Sequence, residues 1–62
     1  MSALTDRVHV GAFYTDGRRL AEVTRVYELG HVAMLDALTG DYIGVGIIGF
    51  RAEWWLVREG AA

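Results

Sequence analysis

Cysteine, proline, lysine, asparagine and glutamine are absent from this 62-residue chain. The missing cysteine excludes a disulfide framework, a cysteine-ligated zinc site and thiol chemistry. That exclusion matters at this length. A domain of this size buries only about 60% of its unfolded surface, and small domains commonly draw on disulfides or a metal for stability. The routes left are a very apolar core or self-association. A composition of 53% hydrophobic residues, with two Trp, three Tyr and two Phe, suits either. Lysine and asparagine have AT-rich codons, so their absence points to a high-GC genome; an actinobacterium or one of its phages fits.

A large excess of one charge sign is also lacking. The six basic residues are all arginine and stand against eight acidic ones, for a net charge of −2. That disfavours non-specific nucleic-acid binding through bulk charge. Long hydrophobic runs are lacking as well. Tyr42 to Phe50 is the longest low-charge run, far short of the ~20 residues a membrane helix needs. The opening "MSALTDRV" has no apolar core of a secretory leader behind it. A cytoplasmic location with no membrane partner is expected.

Catalytic equipment is thin. Serine occurs once, at Ser2, and His9 and His31 are isolated, without the H-x-H or H-x-x-x-H spacing of a metal site. Asp36 and Asp41 flank "ALTG", where loop-capping carboxylates are common. An enzyme needs a nucleophile, base or metal in a pocket, and a chain this small has little room for one of roughly several hundred Å³. The chain is expected not to be an enzyme, with no cofactor, metal or small-molecule substrate.

Glycine, in contrast, is plentiful, and it punctuates the chain. "TDGR" at 15–18, "ELGH" at 28–31 and "LTGD" at 38–41 read as turns. Between them lie the segments Val8–Tyr14, Arg19–Glu28, Val32–Leu38, Tyr42–Phe50 and Trp54–Arg58, each near ordinary strand length. Short strands at this spacing predict one all-β domain over residues 1–62, with an ordered core from about 7 to 59. Asp16-Gly17 suits a two-residue type I′ turn. That turn would pair Tyr14 with Arg19, Ala12 with Ala21 and Val10 with Val23 on one face. Phe13 with Leu20, and Gly11 with Glu22, would share the other. Phe13 opposite Leu20 on an exposed face calls for a bulge, a cover over both faces, or a partner. A helical alternative caps a helix at Asp16, runs it from Gly17 to Leu29, and makes "HVAMLDAL" a second helix. The β-branched and aromatic "VTRVY" opposes it, and that second helix would carry no Arg or Lys to read DNA.

"YIGVGIIGF" at 42–50 contains G-x-G-x-x-G. A dinucleotide loop needs a strand before it, a helix after it and an acidic residue about 20 positions on. Beyond Gly49 lies "AEWWLV", a turn and a strand. The segment reads instead as a strand with Ile43, Val45, Ile47 and Gly49 on a buried face and Tyr42, Gly44, Gly46, Ile48 and Phe50 on the other. Glycines there mark close approach of something, either Trp54 or Trp55 of this chain or a partner. Uncharged and free of proline, the strand must be central or covered by a second subunit.

Five short strands, the "DG" hairpin, the strand–loop–strand "DGRRLAEVTRVYELGHVAMLDALTG" and the turn-plus-strand "FRAEWWLV" together resemble a five-stranded SH3-like small barrel with a short helical turn before the last strand. KOW and Tudor-type modules share that architecture, and the pattern is also similar to short uncharacterised actinobacterial or actinophage proteins. The KOW resemblance implies basic residues in the first loops, matched only by Arg18 and Arg19. The Tudor resemblance implies an aromatic cage, for which Tyr14, Tyr27, Tyr42 and Phe50 are the material. Fold likeness does not carry function. The residues themselves predict a non-catalytic protein-interaction module that self-associates as a homodimer. Phe13, Leu20, Tyr42, Gly44, Gly46 and Trp55 are its interface candidates. Adjacent tryptophans in a strand face opposite ways, so one of Trp54 and Trp55 is core and the other is free for an interface, where Trp is enriched. The alternative is a nucleic-acid-binding module built on the Arg18/Arg19 hairpin, with Arg25 and a stacking Tyr14. A second alternative, from the helical reading, is a small DNA-associated regulator.

Overall fold

The computed structural model describes residues 8–59. Five strands, β1 (Phe13–Thr15), β2 (Leu20–Tyr27), β3 (His31–Asp36), β4 (Tyr42–Gly46) and β5 (Trp55–Arg58), and one helix, α1 (Ile47–Glu53), follow one another along the chain. The strands form a single antiparallel sheet in the order β4-β3-β2-β1-β5. The all-β expectation holds, and the helical alternative over 17–29 gives way to the β2–β3 hairpin. The sheet is open, not closed into a barrel, and β4 and β5 are its edges.

The first hairpin differs from the expected register. Thr15 lies opposite Leu20, Tyr14 opposite Ala21 and Phe13 opposite Glu22, so the loop holds four residues and each partner moves by two. A type I′ turn needs positive φ at both central residues, but no residue other than glycine has positive φ among the described residues, and Gly17 alone supplies it here. Asp16 instead accepts hydrogen bonds from the backbone N–H of Arg18 and of Arg19, both at 2.9 Å. Thr15 Oγ1 donates to the Arg19 carbonyl at 2.7 Å and accepts from Gly17 N–H. Because side chains alternate with period two, a two-residue slip changes partners but not faces. Upstream, the expected Val8–Tyr14 strand shortens to β1: Gly11 at φ 91° and the Ala12 N–H to His9 carbonyl bond make a turn.

A bulge at Thr24 interrupts β2 between Val23 and Arg25, and Thr24 Oγ1 bonds the Ala33 carbonyl at 3.2 Å. Parity inverts there. Ala21 and Val23 face the core before it, and Val26 faces the core after it.

The run from Tyr42 to Phe50 is not one strand. It ends at Gly46, and α1 begins one turn earlier than "FRAEWWLV" suggests. Ile47 and Phe50 are buried while Ile48 is exposed, which is a spacing of three, not two. The Ile47 N–H bonds the Gly30 carbonyl at 2.7 Å, and the Trp54 N–H closes the helix on the Phe50 carbonyl. Phe50 then packs between Tyr14, tilted at 60° with centroids 4.8 Å apart, and Trp54, stacked at 6.2 Å. With Ala12, Ala21, Val23, Val32, Met34, Ile43 and Ile47 these rings make the core under one face of the sheet. The buried Tyr14 hydroxyl accepts the His9 N–H at 3.2 Å.

Asp36 ends β3 as a loop cap, accepting from Leu38 and Thr39 N–H at 2.8 and 3.0 Å. Such bonds favour the ionised carboxylate. Asp16 is held at about 2, against an ordinary 3.8, first by the Arg19 and Arg18 amides and then by the Arg19 guanidinium. Asp36 is lowered by the Leu38 and Thr39 amides. Both folded values lie below the unfolded ones, so this stabilisation is present above about 3.8 and is lost as pH falls toward about 2. The melting temperature is therefore expected to drop through that window. Asp16→Ala should make the drop shallower, and an unchanged slope in thermal melts would rule the cap out as a contributor.

Candidate functional site

Among the described residues, no helix covers the sheet's second face. On β1, β2 and β5 it presents Phe13, Leu20, Trp55 and Val57. Leu20 is 37% exposed, Trp55 54% and Val57 53%. Between them lies a groove of about 290 Å³ walled by Phe13, Leu20, Val57 and Arg58. The β1–β5 register slips between Phe13 and Tyr14, so that Thr15 pairs with Trp55, Tyr14 with Leu56, and Phe13 with Arg58. Val57 is the extra residue. A bulge re-aims its side chain, so Val57 and Arg58 both line the groove. Every residue of β5 is exposed, and β5 pairs on one side only.

The tryptophans divide as expected. Trp54 is core at 6% exposure and Trp55 is free, its ring 3.5 Å from where a Cβ on Gly17 would stand. Phe13, Leu20 and Trp55 come together, while Tyr42, Gly44 and Gly46 sit on β4, at the far edge of the sheet. No tryptophan covers those glycines. Tyr42 folds back over Gly44 and meets His31 Nε2 at 3.1 Å. A Cβ on Gly44 would stand 2.7 Å from the Tyr42 hydroxyl and 2.9 Å from His31 Nε2. Both are side-chain ends free to swing. Gly44→Ala is thus expected to abolish the His31–Tyr42 hydrogen bond while changing stability by less than about 1 kcal/mol. The lost bond, ~0.5–1.5 kcal/mol, is offset by the better strand residue, ~0.5–1 kcal/mol. Urea titration and the Tyr42 NMR shifts check both halves.

The nucleic-acid candidates do not assemble. Tyr14 is in the core at 4% exposure, so it offers no stacking face. Arg19 and Arg25 share parity in the sequence, but the Thr24 bulge lies between them. Arg19 sits over the core residue Trp54 at 5.4 Å and pairs with Asp16 at 3.2 Å. Arg25 sits on the opposite face, over Tyr27 at 5.1 Å, with His31 5.8 Å from that ring. Arg18 is exposed in the hairpin loop. Nor is there a four-ring cage: Tyr14 and Phe50 are buried, whereas Tyr27 and Tyr42 are exposed.

Val57 and Arg58 are site residues that the sequence reading passes over, and no signal in "WWLVR" marks the bulge that turns both to one side. Among the described residues no three His, Asp or Glu side chains gather as metal ligands, and no helix is long and apolar enough to cross a membrane. No family model, no curated protein and no solved structure matches this chain.

Proposed function

We propose that this chain is a non-catalytic protein-interaction module that docks through the β1–β2–β5 face. The observation that carries the reading is the groove between Phe13, Leu20 and Val57, with Trp55 exposed beside it. An exposed Trp and a half-buried Phe at an apolar depression are what a buried interface core is made of, and Arg58 is the one charged group on its wall. The strand order, with β5 returning beside β1, supports kinship with SH3-like small barrels, here with the ring left open. The all-arginine basic set fits a high-GC actinobacterial or phage source, and a cytoplasmic location goes with it.

The test is retention of proteins from a high-GC bacterial lysate on immobilised chain, after nuclease and at high salt. An apolar interface survives salt. Proteins held by the wild type and lost with Leu20→Lys support the reading; equal retention by both chains refutes it. A second reading, nucleic-acid binding, draws on Arg25 stacked on Tyr27 beside His31 and Tyr42, since bases stack on such rings. It predicts bound oligonucleotide that is released steeply with salt and weakened by Arg25→Ala. If that is what binds, the ranking reverses.

A further inference from the structure

We infer that the occupant of this face is a second copy of the chain, docked about a two-fold axis so that Trp55 of each copy fills the Phe13–Leu20–Val57–Arg58 groove of the other. The inference rests on the docking-face reading above and adds its partner.

Position supports it first. The knob and one wall of the groove lie on one strand, with Trp55 two residues before Val57 and three before Arg58. When β5 crosses a second β5 antiparallel, Trp55 of each copy comes level with Val57 and Arg58 of the other. Such a contact is isologous: it repeats itself and closes at two copies. A different protein would have to bring both a knob for the groove and a cover for Trp55.

Chemistry supports it next. The groove is apolar, holds about 290 Å³ and carries one cation at its wall, Arg58. A large aromatic ring fills the depression and offers its face to the guanidinium. This chain already uses that pairing twice, Arg19 over Trp54 and Arg25 over Tyr27. An acidic peptide would satisfy Arg58 but leave the apolar walls wet. An aliphatic side chain would fill the walls and leave Arg58 without a partner.

Size is consistent. A standard interface takes about 800 Å² from each partner, under a fifth of this chain's 4377 Å² surface. The contact would cover Leu20, Leu35, Trp55 and Val57, which are 37–54% exposed. A chain with no disulfide gains core from such a contact.

The experiment is sedimentation equilibrium with tryptophan fluorescence, from about 1 μM to about 1 mM, the range of weak to moderate affinity. The wild type is expected to pass from monomer to dimer, with emission shifting to the blue as Trp55 is covered; Trp54, buried in both states, adds a constant signal. Trp55→Ala and Leu20→Lys should each weaken association by about thirtyfold or more, the loss typical of a central aromatic anchor or its pocket. Circular dichroism melts verify that each variant is folded. Leu20→Lys carries the test if Trp55→Ala loses too much packing on Gly17. The decisive arm is the mixture. Trp55→Ala keeps its groove and Leu20→Lys keeps its knob, so together they should form a heterodimer more tightly than either forms a homodimer.

A wild type that stays monomeric to about 1 mM overturns the proposal. So does a dimer that both variants leave intact. If the monomeric chain still retains other proteins through Leu20, the docking face stands and only the second copy falls. If it retains none, both fall.

Discussion

Phe50→Ala is expected to unfold this chain, or nearly so, at room temperature. Phe50 is 2% exposed and packs between Tyr14 and Trp54. It is also the residue by which α1 is pinned to the sheet, because Ile47 is the helix's only other buried side chain. Removing a buried Phe costs about 3–5 kcal/mol through lost transfer energy and the cavity left behind. A domain of this length has a total stability on the order of 3–9 kcal/mol at the usual ~0.05–0.15 kcal/mol per residue. The first figure is a large share of the second, and no disulfide limits the unfolded chain. Far-UV circular dichroism with a urea titration reads the result. A variant within about 1 kcal/mol of the wild type would mean that the aromatic stack is not what holds α1 down.

Gly30→Ala is expected to be the most damaging change at a turn. Gly30 has φ 94°, a conformation that costs an L-residue about 1–2 kcal/mol. Its Cβ would also stand 3.3 Å from Ile47 Cγ2, and its carbonyl receives the Ile47 N–H that starts α1. Strain and crowding thus fall on the β2–β3 turn and the helix entrance together. A loss of about 2 kcal/mol lowers the melting temperature by roughly 8–16 °C in a domain of this size. Gly40→Ala is the control. Gly40 has φ 79° but nothing within 4 Å of a Cβ, so it carries strain alone. If both variants melt at the same temperature, the Ile47 contact contributes nothing.

The association tests depend on residues of a different kind. Trp55 and Leu20 lie outside the core, so their replacement should be read in binding and only weakly in stability. Trp54→Ala is the opposite case, because Trp54 is at 6% exposure under the sheet. The contrast between the adjacent tryptophans separates docking from folding.

Several features were legible in "TDGRRL", "ELGH" and "LTGD". Glycines at 17, 30 and 40 all have positive φ, as turn glycines are expected to have, and the β-rich segments between them became β2, β3 and β4. The grouping of Ala12, Tyr14, Ala21 and Val23 on one apolar face also came through, because faces repeat every second residue and the hairpin register moved by two, but Val10, placed on the same face, is 62% exposed because the chain turns at Gly11. The split of Trp54 and Trp55 followed from the same alternation. "YIGVGIIGF" was misread beyond Gly46 because Ile47 and Phe50 fit either period over so few residues. Only the helix docking on the core decided between them.

The amino-acid sequence by itself determined that the domain is small, β-rich, free of cysteine and short of catalytic groups, and where most of its turns fall. Those properties are local or compositional. Tertiary structure decided what lies beside what. The Thr24 bulge put Arg19 and Arg25 on opposite faces. The Val57 bulge turned Val57 and Arg58 into one groove. The strand order set Trp55 beside Phe13 and Leu20 and sent Tyr42, Gly44 and Gly46 to the far edge. Bulges and strand order depend on pairings between distant segments. A chain's period and punctuation constrain each segment, but they do not say which segment will be its neighbour.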